Sequence, residues 1–243
     1  ELLGQFLAKP QFRLETFVSG LRRILFGLFL KVVLADNIAP LVDFGFEQPV
    51  ANLGAFDVVT LAFLFGFQIY FDFAAYSYIA IGSARLMGIS FPENFNFPYM
   101  ASSPREFWRR WHISLSSWIR DYLYLPLLGA KVRDRSVDGL AVAVDAGGKD
   151  MRRPLMALFI TWVIMGFWHG ANWTFVMWGL FHASCIALYR VIEAPLSVLP
   201  RSIRVIGGWS LTLPLMMLAW IPFRAKSIGA AVEMYAKLFS LDE

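Results

Sequence analysis

The feature that most constrains this chain is a stretch of 36 residues, Pro154 to Tyr189, that contains no Asp, Glu, Lys or Arg. A helix that crosses a bilayer needs about 20 mostly apolar residues, so this stretch exceeds one crossing. As a single helix it would be about 54 Å long. We therefore expect a break within the segment GFWHGAN, residues 166–172, which would place His169 at a chain interruption in apolar surroundings.

The composition indicates a membrane protein. Of the 243 residues, 58% are hydrophobic and 16% are charged, whereas about a quarter of the residues in a soluble domain are charged. The apolar residues occur in long blocks, where a soluble helix would carry only an apolar stripe. We predict an all-α fold, a polytopic transmembrane helical bundle with re-entrant or interfacial helices. Residues 1–243 are expected to form one membrane domain that is part of a longer protein.

The charges follow a topological pattern. Ten of the 22 Lys and Arg residues fall between Arg105 and Arg153, and none lies between Val32 and Ala84. Such asymmetry marks the cytoplasmic side of a membrane protein, so the net charge of +4 does not indicate a nucleic-acid partner. The single cysteine, Cys185, excludes an internal disulfide and is expected to be a packing residue. The three histidines are widely separated, so no metal site is predicted.

The chain divides into apolar segments and connections. We expect two early helices, Phe17–Leu34 and Val58–Gly82, separated by an acidic external loop, Asp36–Asp57. An irregular aromatic loop is expected at Phe91–Ser103 and a basic cytoplasmic loop at Gly129–Arg153. After the broken helices, we expect a last span, Val205–Pro222, and an amphipathic or truncated terminal piece, Ala225–Ser240.

A helix is predicted from Ser103 to Tyr124. Ser103 and Glu106 match a capping box, and Pro104 takes the first helical position, where proline is tolerated. A continuous helix would have two faces, Trp108, Trp111, Leu115 and Trp118 on one, and Arg105, Arg109, His112, Ser116 and Arg120 on the other. It could lie in the membrane interface with its tryptophans among the headgroups. Alternatively, the face with His112 could line a polar cavity that holds an anionic ligand.

His169 is the principal candidate for a functional residue. An ionisable side chain at membrane depth usually faces a cavity and marks function, and a neutral imidazole can accept a proton there. Asn172 could hydrogen-bond a substrate carbonyl or orient the ring, and Trp168 could form a wall of the cavity. The alternative is a structural histidine bonded to a backbone carbonyl. His182 is interpreted as a packing residue or a proton-relay partner.

Four segments resemble the membrane-bound O-acyltransferase (MBOAT) family, in particular its bacterial branch that functions in alginate O-acetylation. They are FQIYFDFAAYSYIAIGSARLMGI (67–89), FPENFNFPY (91–99), REFWRRWHISLSSWIRDYLYLPL (105–127) and GFWHGANWTFVMWGLFHA (166–183). The resemblance covers nearly the whole chain. It implies that His169 is the catalytic histidine and that His112 is the second functional position.

The resemblance further implies a multi-pass enzyme of the bacterial inner membrane. Its donor would be acetyl-coenzyme A or an acyl-carrier thioester, with no permanently bound cofactor, and its acceptor a hydroxyl of an extracellular polysaccharide or of a carrier protein. Membrane lipid and a periplasmic acetyltransferase are the expected partners. From the residues we add substrate contacts at Asn172, Arg109, Ser116, Arg120 and Trp168. The alternatives are a transporter or flippase, and a non-catalytic membrane subunit of a polysaccharide export and modification complex.

Overall fold

The chain is helical, as the composition predicts. The computed structural model describes residues 4–5, 13–129 and 152–240, and these ranges contain no β-strand. Most of the predicted cytoplasmic loop, residues 130–151, lies outside the described ranges. The helices are α1 (Leu14–Phe29), α2 (Asp36–Glu47), α3 (Ala55–Leu86), α4 (Pro104–Arg110), α5 (Ile113–Ile119), α6 (Leu125–Leu128), α7 (Arg152–His169), α8 (Trp173–Leu196), α9 (Arg201–Ala219), α10 (Ile221–Arg224) and α11 (Ile228–Lys237).

Several segments are suited to a bilayer. Within the described ranges, four helical segments are long and apolar enough to cross a membrane, namely Leu14–Glu47, Ala55–Leu86, Trp173–Leu196 and Arg201–Arg224. The predicted crossings Val58–Gly82 and Val205–Pro222 lie inside the second and the fourth. The predicted aromatic loop before Ser103 is also confirmed, because it contains only a short 3-10 turn, Pro98–Met100.

The predicted external loop is wrong over its first 12 residues, which form α2. A π-helical turn, Leu30–Ala35, joins α1 to α2, so one long helix continues past the acidic residues and includes Pro40. The Asn37 side-chain amide donates to the carbonyls of Val32 and Val33, at 3.0 Å each. These bonds run from the first turn of α2 back to the π-helical turn, so the polar side chain of Asn37 is paired within the continuous helix.

The chain forms two compact units, and residues 1–45 and 64–94 make up the first. Its helices α1 and α3 approach closely at Gly20 and Gly82, where a Cβ on Gly20 would lie 2.9 Å from the Gly82 carbonyl oxygen. Lys31 is paired with Asp72 at 2.6 Å and with Asp36 at 2.9 Å. A cation inside an apolar helix is therefore balanced by carboxylates, as expected for a charge at membrane depth.

Residues 46–63 and 95–243 form the second unit, which contains every candidate site residue. Its central contact is between α7 and α8, which meet through glycines. A Cβ on Gly166 would lie 2.5 Å from the Phe175 carbonyl oxygen, and a Cβ on Gly179 would collide with the Trp162 carbonyl oxygen. Small residues allow membrane helices to approach backbone to backbone, which fixes the relative positions of the side chains around the contact.

Replacing Gly179 by alanine tests this contact. We expect a lower melting temperature because overpacking costs about 1–3 kcal/mol. Gly207→Ala, in α9, is the matched control because nothing lies within 4 Å of a Cβ built there, and alanine favours a helix by about 1 kcal/mol. Thermal unfolding of the full-length protein in detergent measures both variants. Equal melting temperatures would contradict the close approach of α7 and α8.

Candidate active site

His169 lies at the predicted break in the long apolar stretch. It is the last residue of α7, and α8 begins four residues later at Trp173. Asn172 caps α8, since its Oδ1 accepts a hydrogen bond from the Thr174 backbone N–H at 3.1 Å. Gly170 gives space to Phe175, whose ring would lie 2.5 Å from a Cβ at that position. The break is confirmed, and the structure assigns Asn172 a capping bond that helps to form it.

The His169 ring is held mainly by aromatic contacts. Its centroid lies 4.9 Å from that of Trp178 and 5.1 Å from that of Phe223, with the rings edge to face in both pairs. Trp168 makes a third such contact at 4.9 Å, although 63% of its surface is exposed. The ring is half-buried, and no described residue hydrogen-bonds either of its nitrogens. It is therefore positioned by packing, without the backbone hydrogen bond of a structural histidine.

The prediction of one continuous helix from Ser103 to Tyr124 is wrong, because the helix breaks at His112. Ser103 caps α4 as predicted, with its Oγ accepting from the Glu106 N–H at 3.1 Å. His112 has the left-handed backbone conformation, with φ 43° and ψ 55°. The Asn96 backbone N–H donates to the Arg110 carbonyl at 2.9 Å. That carbonyl would accept a bond from the next turn in a continuous helix, so the aromatic loop competes with helix continuation.

The two-faced arrangement also changes at this break. Trp108 and Trp111 are almost fully buried, whereas Trp118 is 57% exposed. The interfacial interpretation, in which these tryptophans lie among lipid headgroups, is therefore wrong for Trp108 and Trp111. The Trp108 ring lies 4.6 Å from the Trp162 ring, and its indole N–H donates to Nδ1 of His182 at 3.3 Å.

His112 and His169 are brought together, although 56 residues separate them in the sequence. Burial lowers the pKa of His112 to about 4, and the charge of nearby His169 acts in the same direction. The His112 ring stacks on Phe95 with the centroids 6.5 Å apart. The Oγ of Ser114 lies 3.5 Å from its Nδ1. His112 is therefore a neutral imidazole at pH 7.

The other predicted polar contacts differ in their surroundings. The Ser116 hydroxyl donates to the Trp111 carbonyl at 3.1 Å, and Nε of Arg120 donates to the Asp121 carboxylate at 2.6 Å. Both side chains thus have bonds within the protein. In contrast, Nε of Arg109 is buried without a hydrogen-bond partner among the described residues. Among these predicted contacts, Arg109 is thus the cation with a buried nitrogen that is unpaired within the described residues.

The sequence did not indicate several aromatic residues that surround the site. Phe223 reaches His169 from α10, and Trp178 contacts both His169 and His182 at 4.9 Å between centroids. His182 itself is fully buried. Nearly every position in the first turns of α8 is apolar or aromatic, so the periodicity of the sequence does not indicate which of them contact the site. Across the described residues, no group of three or more His, Cys, Asp or Glu could hold a metal ion.

Comparison with known proteins identifies the family. Residues 4–142 match the model of MBOAT, the membrane-bound O-acyltransferase family. The chain is 38% identical over its whole length to "Probable alginate O-acetylase AlgI" of Azotobacter vinelandii. It is 36% identical to the peptidoglycan O-acetyltransferase of Helicobacter pylori. The chain therefore belongs to the membrane-bound O-acyltransferase family and is part of a multi-pass membrane protein.

A more distant relative has a different acyl group in its name. The chain is 32% identical, over 70% of its length, to the teichoic acid D-alanyltransferase of Streptococcus thermophilus, of which it covers 39%. It spans 44% of the A. vinelandii protein and 43% of the H. pylori protein. The chain thus corresponds to less than half the length of these relatives. His112 and His169 both lie within this part.

The backbone at His112 can be tested apart from its ring. A β-branched residue in the left-handed region costs about 1–3 kcal/mol, whereas asparagine and glycine adopt that region readily. We expect His112→Val to lower the melting temperature of the full-length protein relative to His112→Asn and His112→Gly. Leu115→Val, in the adjacent helix, is the control for a new β-branched valine at a position with helical backbone. Equal melting temperatures for His112→Val and His112→Asn would show that position 112 is not left-handed.

Proposed function

We propose that the full-length protein is a membrane O-acyltransferase that acetylates a polysaccharide outside the bacterial cytoplasmic membrane. The observation that carries this proposal is the placement of His169. Its imidazole lies at a helix break within an apolar stretch, half-buried, near His112, and without a hydrogen bond to a described residue. Such a nitrogen can receive a proton from an incoming hydroxyl. The names of the relatives pair an acyl group with a cell-surface polymer, which supports the choice of acceptor.

In the proposed reaction, neutral His169 is the general base. It takes the proton of an acceptor hydroxyl as that oxygen attacks the carbonyl carbon of an acyl thioester. The carbon–sulfur bond then breaks, an ester forms, and the thiolate leaves with the proton that His169 returns. General-base assistance contributes about 100 to 10,000-fold to such a reaction. The edge-to-face contacts with Trp178 and Phe223 hold the ring in place and limit access of water.

His112 and Arg109 have supporting roles in the proposal. The Nε of Arg109 is buried and His112 is half-buried, and both residues lie on the segment that contains the left-handed break. A neutral His112 can donate one hydrogen bond to the oxyanion that develops on the attacked carbonyl. The guanidinium of Arg109 suits a phosphate of the donor, because it offers several N–H groups in one plane. Trp168, which touches His169, completes the wall on the exposed side.

The donor and the partners follow from the same chemistry. We propose acetyl-coenzyme A or an acyl-carrier thioester, presented from the cytoplasm, since a thioester has a good leaving group and is made on that side. The acceptor hydroxyl belongs to a polysaccharide or to a carrier protein that passes the acetyl group on. A periplasmic acetyltransferase would complete the transfer if the carrier route is used. No permanently bound cofactor is required for this reaction.

Replacing His169 by alanine or glutamine in the full-length protein tests the role of the base. We expect loss of polysaccharide ester by at least about 100-fold, with the abundance of the protein in the membrane unchanged. Ile206→Ala, at an exposed position of α9, is the control and should retain the ester. Mass analysis of surface polysaccharide measures ester content, and an immunoblot measures abundance.

The same variants separate the alternatives. If the protein is a non-catalytic subunit, both the ester content and the assembly of the complex survive His169→Ala. If it is a transporter or flippase, the variant abolishes movement of the substrate while thioester cleavage continues elsewhere. Either result would overturn the proposal.

Asn172 offers a second test, because its capping oxygen and its amide can be separated. Asn172→Ser keeps an N-cap acceptor for α8, whereas Asn172→Ala removes it at a cost of about 1 kcal/mol. If the amide contacts substrate, both variants lose activity while only Asn172→Ala loses stability. If Asn172 acts through the cap alone, Asn172→Ser retains both. Melting temperature and ester content of the two variants decide between these roles.

A further inference from the structure

A cavity lies between α8 and α9, away from the aromatic cluster around His169. It has a volume of about 610 Å³. Its walls are almost entirely apolar and include Leu188, Ile192, Leu211 and Leu215. Both helices belong to segments long and apolar enough to cross a membrane. This groove, the α8–α9 groove, is not needed for the proposed acyl transfer.

The dimensions of the groove fit one hydrocarbon chain. On α8 it extends from Phe181 to Leu196, which is about 22 Å of helix, and the hydrocarbon depth of one leaflet is about 15 Å. The groove is therefore long enough for the part of an acyl chain that lies within one leaflet.

The charges at one end of the groove indicate the headgroup. Arg204 lies in the first turn of α9 and lines the groove close to Leu199, in the connection between the two helices. On the opposite wall, Glu193 follows Ile192, but its carboxylate is paired with Arg105 at 3.0 Å. The acidic group beside the groove is thus already neutralised, and Arg204 gives this end a positive charge.

We propose that the α8–α9 groove binds an acyl chain of an anionic phospholipid from the surrounding leaflet, with the lipid phosphate at Arg204. The apolar walls by themselves favour a bound acyl chain only weakly over the bulk bilayer, because lipid tails are equally apolar. Selectivity for the bound lipid therefore comes from the shape of the groove and from the charge of Arg204. The site is independent of the proposed transferase activity.

Gly207 allows the groove to be filled without disturbing the packing of the helices. It lines the groove, and nothing lies within 4 Å of a Cβ built on it. Gly207→Phe would place a ring in the space of the acyl chain. Ile206→Phe is the matched control, because Ile206 is exposed on the same helix and does not line the groove. For the headgroup, Arg204→Gln is compared with Arg201→Gln, since Arg201 lies one turn earlier and outside the groove.

The experiment counts lipids on the full-length protein. The protein is purified in detergent, titrated with phosphatidylglycerol or phosphatidylcholine, and analysed by native mass spectrometry. We expect one phosphatidylglycerol to be retained by the wild type, Ile206→Phe and Arg201→Gln, and to be lost from Gly207→Phe. Arg204→Gln should weaken phosphatidylglycerol about fivefold and leave phosphatidylcholine unchanged.

Two results would overturn the proposal. One is equal retention of phosphatidylglycerol by Gly207→Phe and the wild type, which would place the lipid elsewhere. The other is a wild type that retains no phosphatidylglycerol under the same conditions, which would mean that the groove does not hold the proposed lipid. Melting temperatures of all variants confirm folding, and ester content shows whether the transferase activity is separate.

Discussion

The contact between α7 and α8 through Gly166 and Gly179 is the interaction on which the candidate site depends. Two helices joined by a three-residue break can return antiparallel at this distance only if no side chain stands between their backbones. The close approach places Trp162 beside Trp178, with their ring centroids 5.7 Å apart. It therefore determines where the His169 ring, at the end of α7, meets its neighbours.

A cluster of aromatic rings packs beside this backbone contact and holds the site in position. Trp108, Trp162, Trp178 and His182 are all in mutual ring contact, with each pair of centroids within 5.8 Å. Five of these six pairs are edge to face and the Trp162–His182 pair is stacked, and such preferred ring geometries favour one arrangement of the cluster. Trp108 belongs to α4, and its burial there fixes the segment that ends at His112. His112 is thus held near His169 by the packing of other residues.

Much of the fold could be predicted from the sequence, and the misses have identifiable causes. The apolar blocks predicted the helices, and the length of the stretch around His169 predicted its break. The acidic residues after Ala35 suggested a loop, but a π-helical turn continues the helix through them. The break at His112 was not predicted, because the hydrophobic periodicity of a segment contains no information about hydrogen bonds from other segments. The Asn96 N–H that competes for the Arg110 carbonyl comes from a loop, and no helical pattern includes it.

The sequence by itself determined the membrane class of this protein and its helical content, and it singled out His112 and His169 as the candidate site residues. These follow from local properties, namely runs of apolar residues, caps and glycines, and from motifs shared with a family. The tertiary structure decided which face of each helix is buried, that His112 is left-handed, and that Trp178 and Phe223 contact His169. These depend on side chains far apart in the sequence, and in a chain so rich in apolar residues the pattern cannot distinguish a neighbour in the protein from lipid.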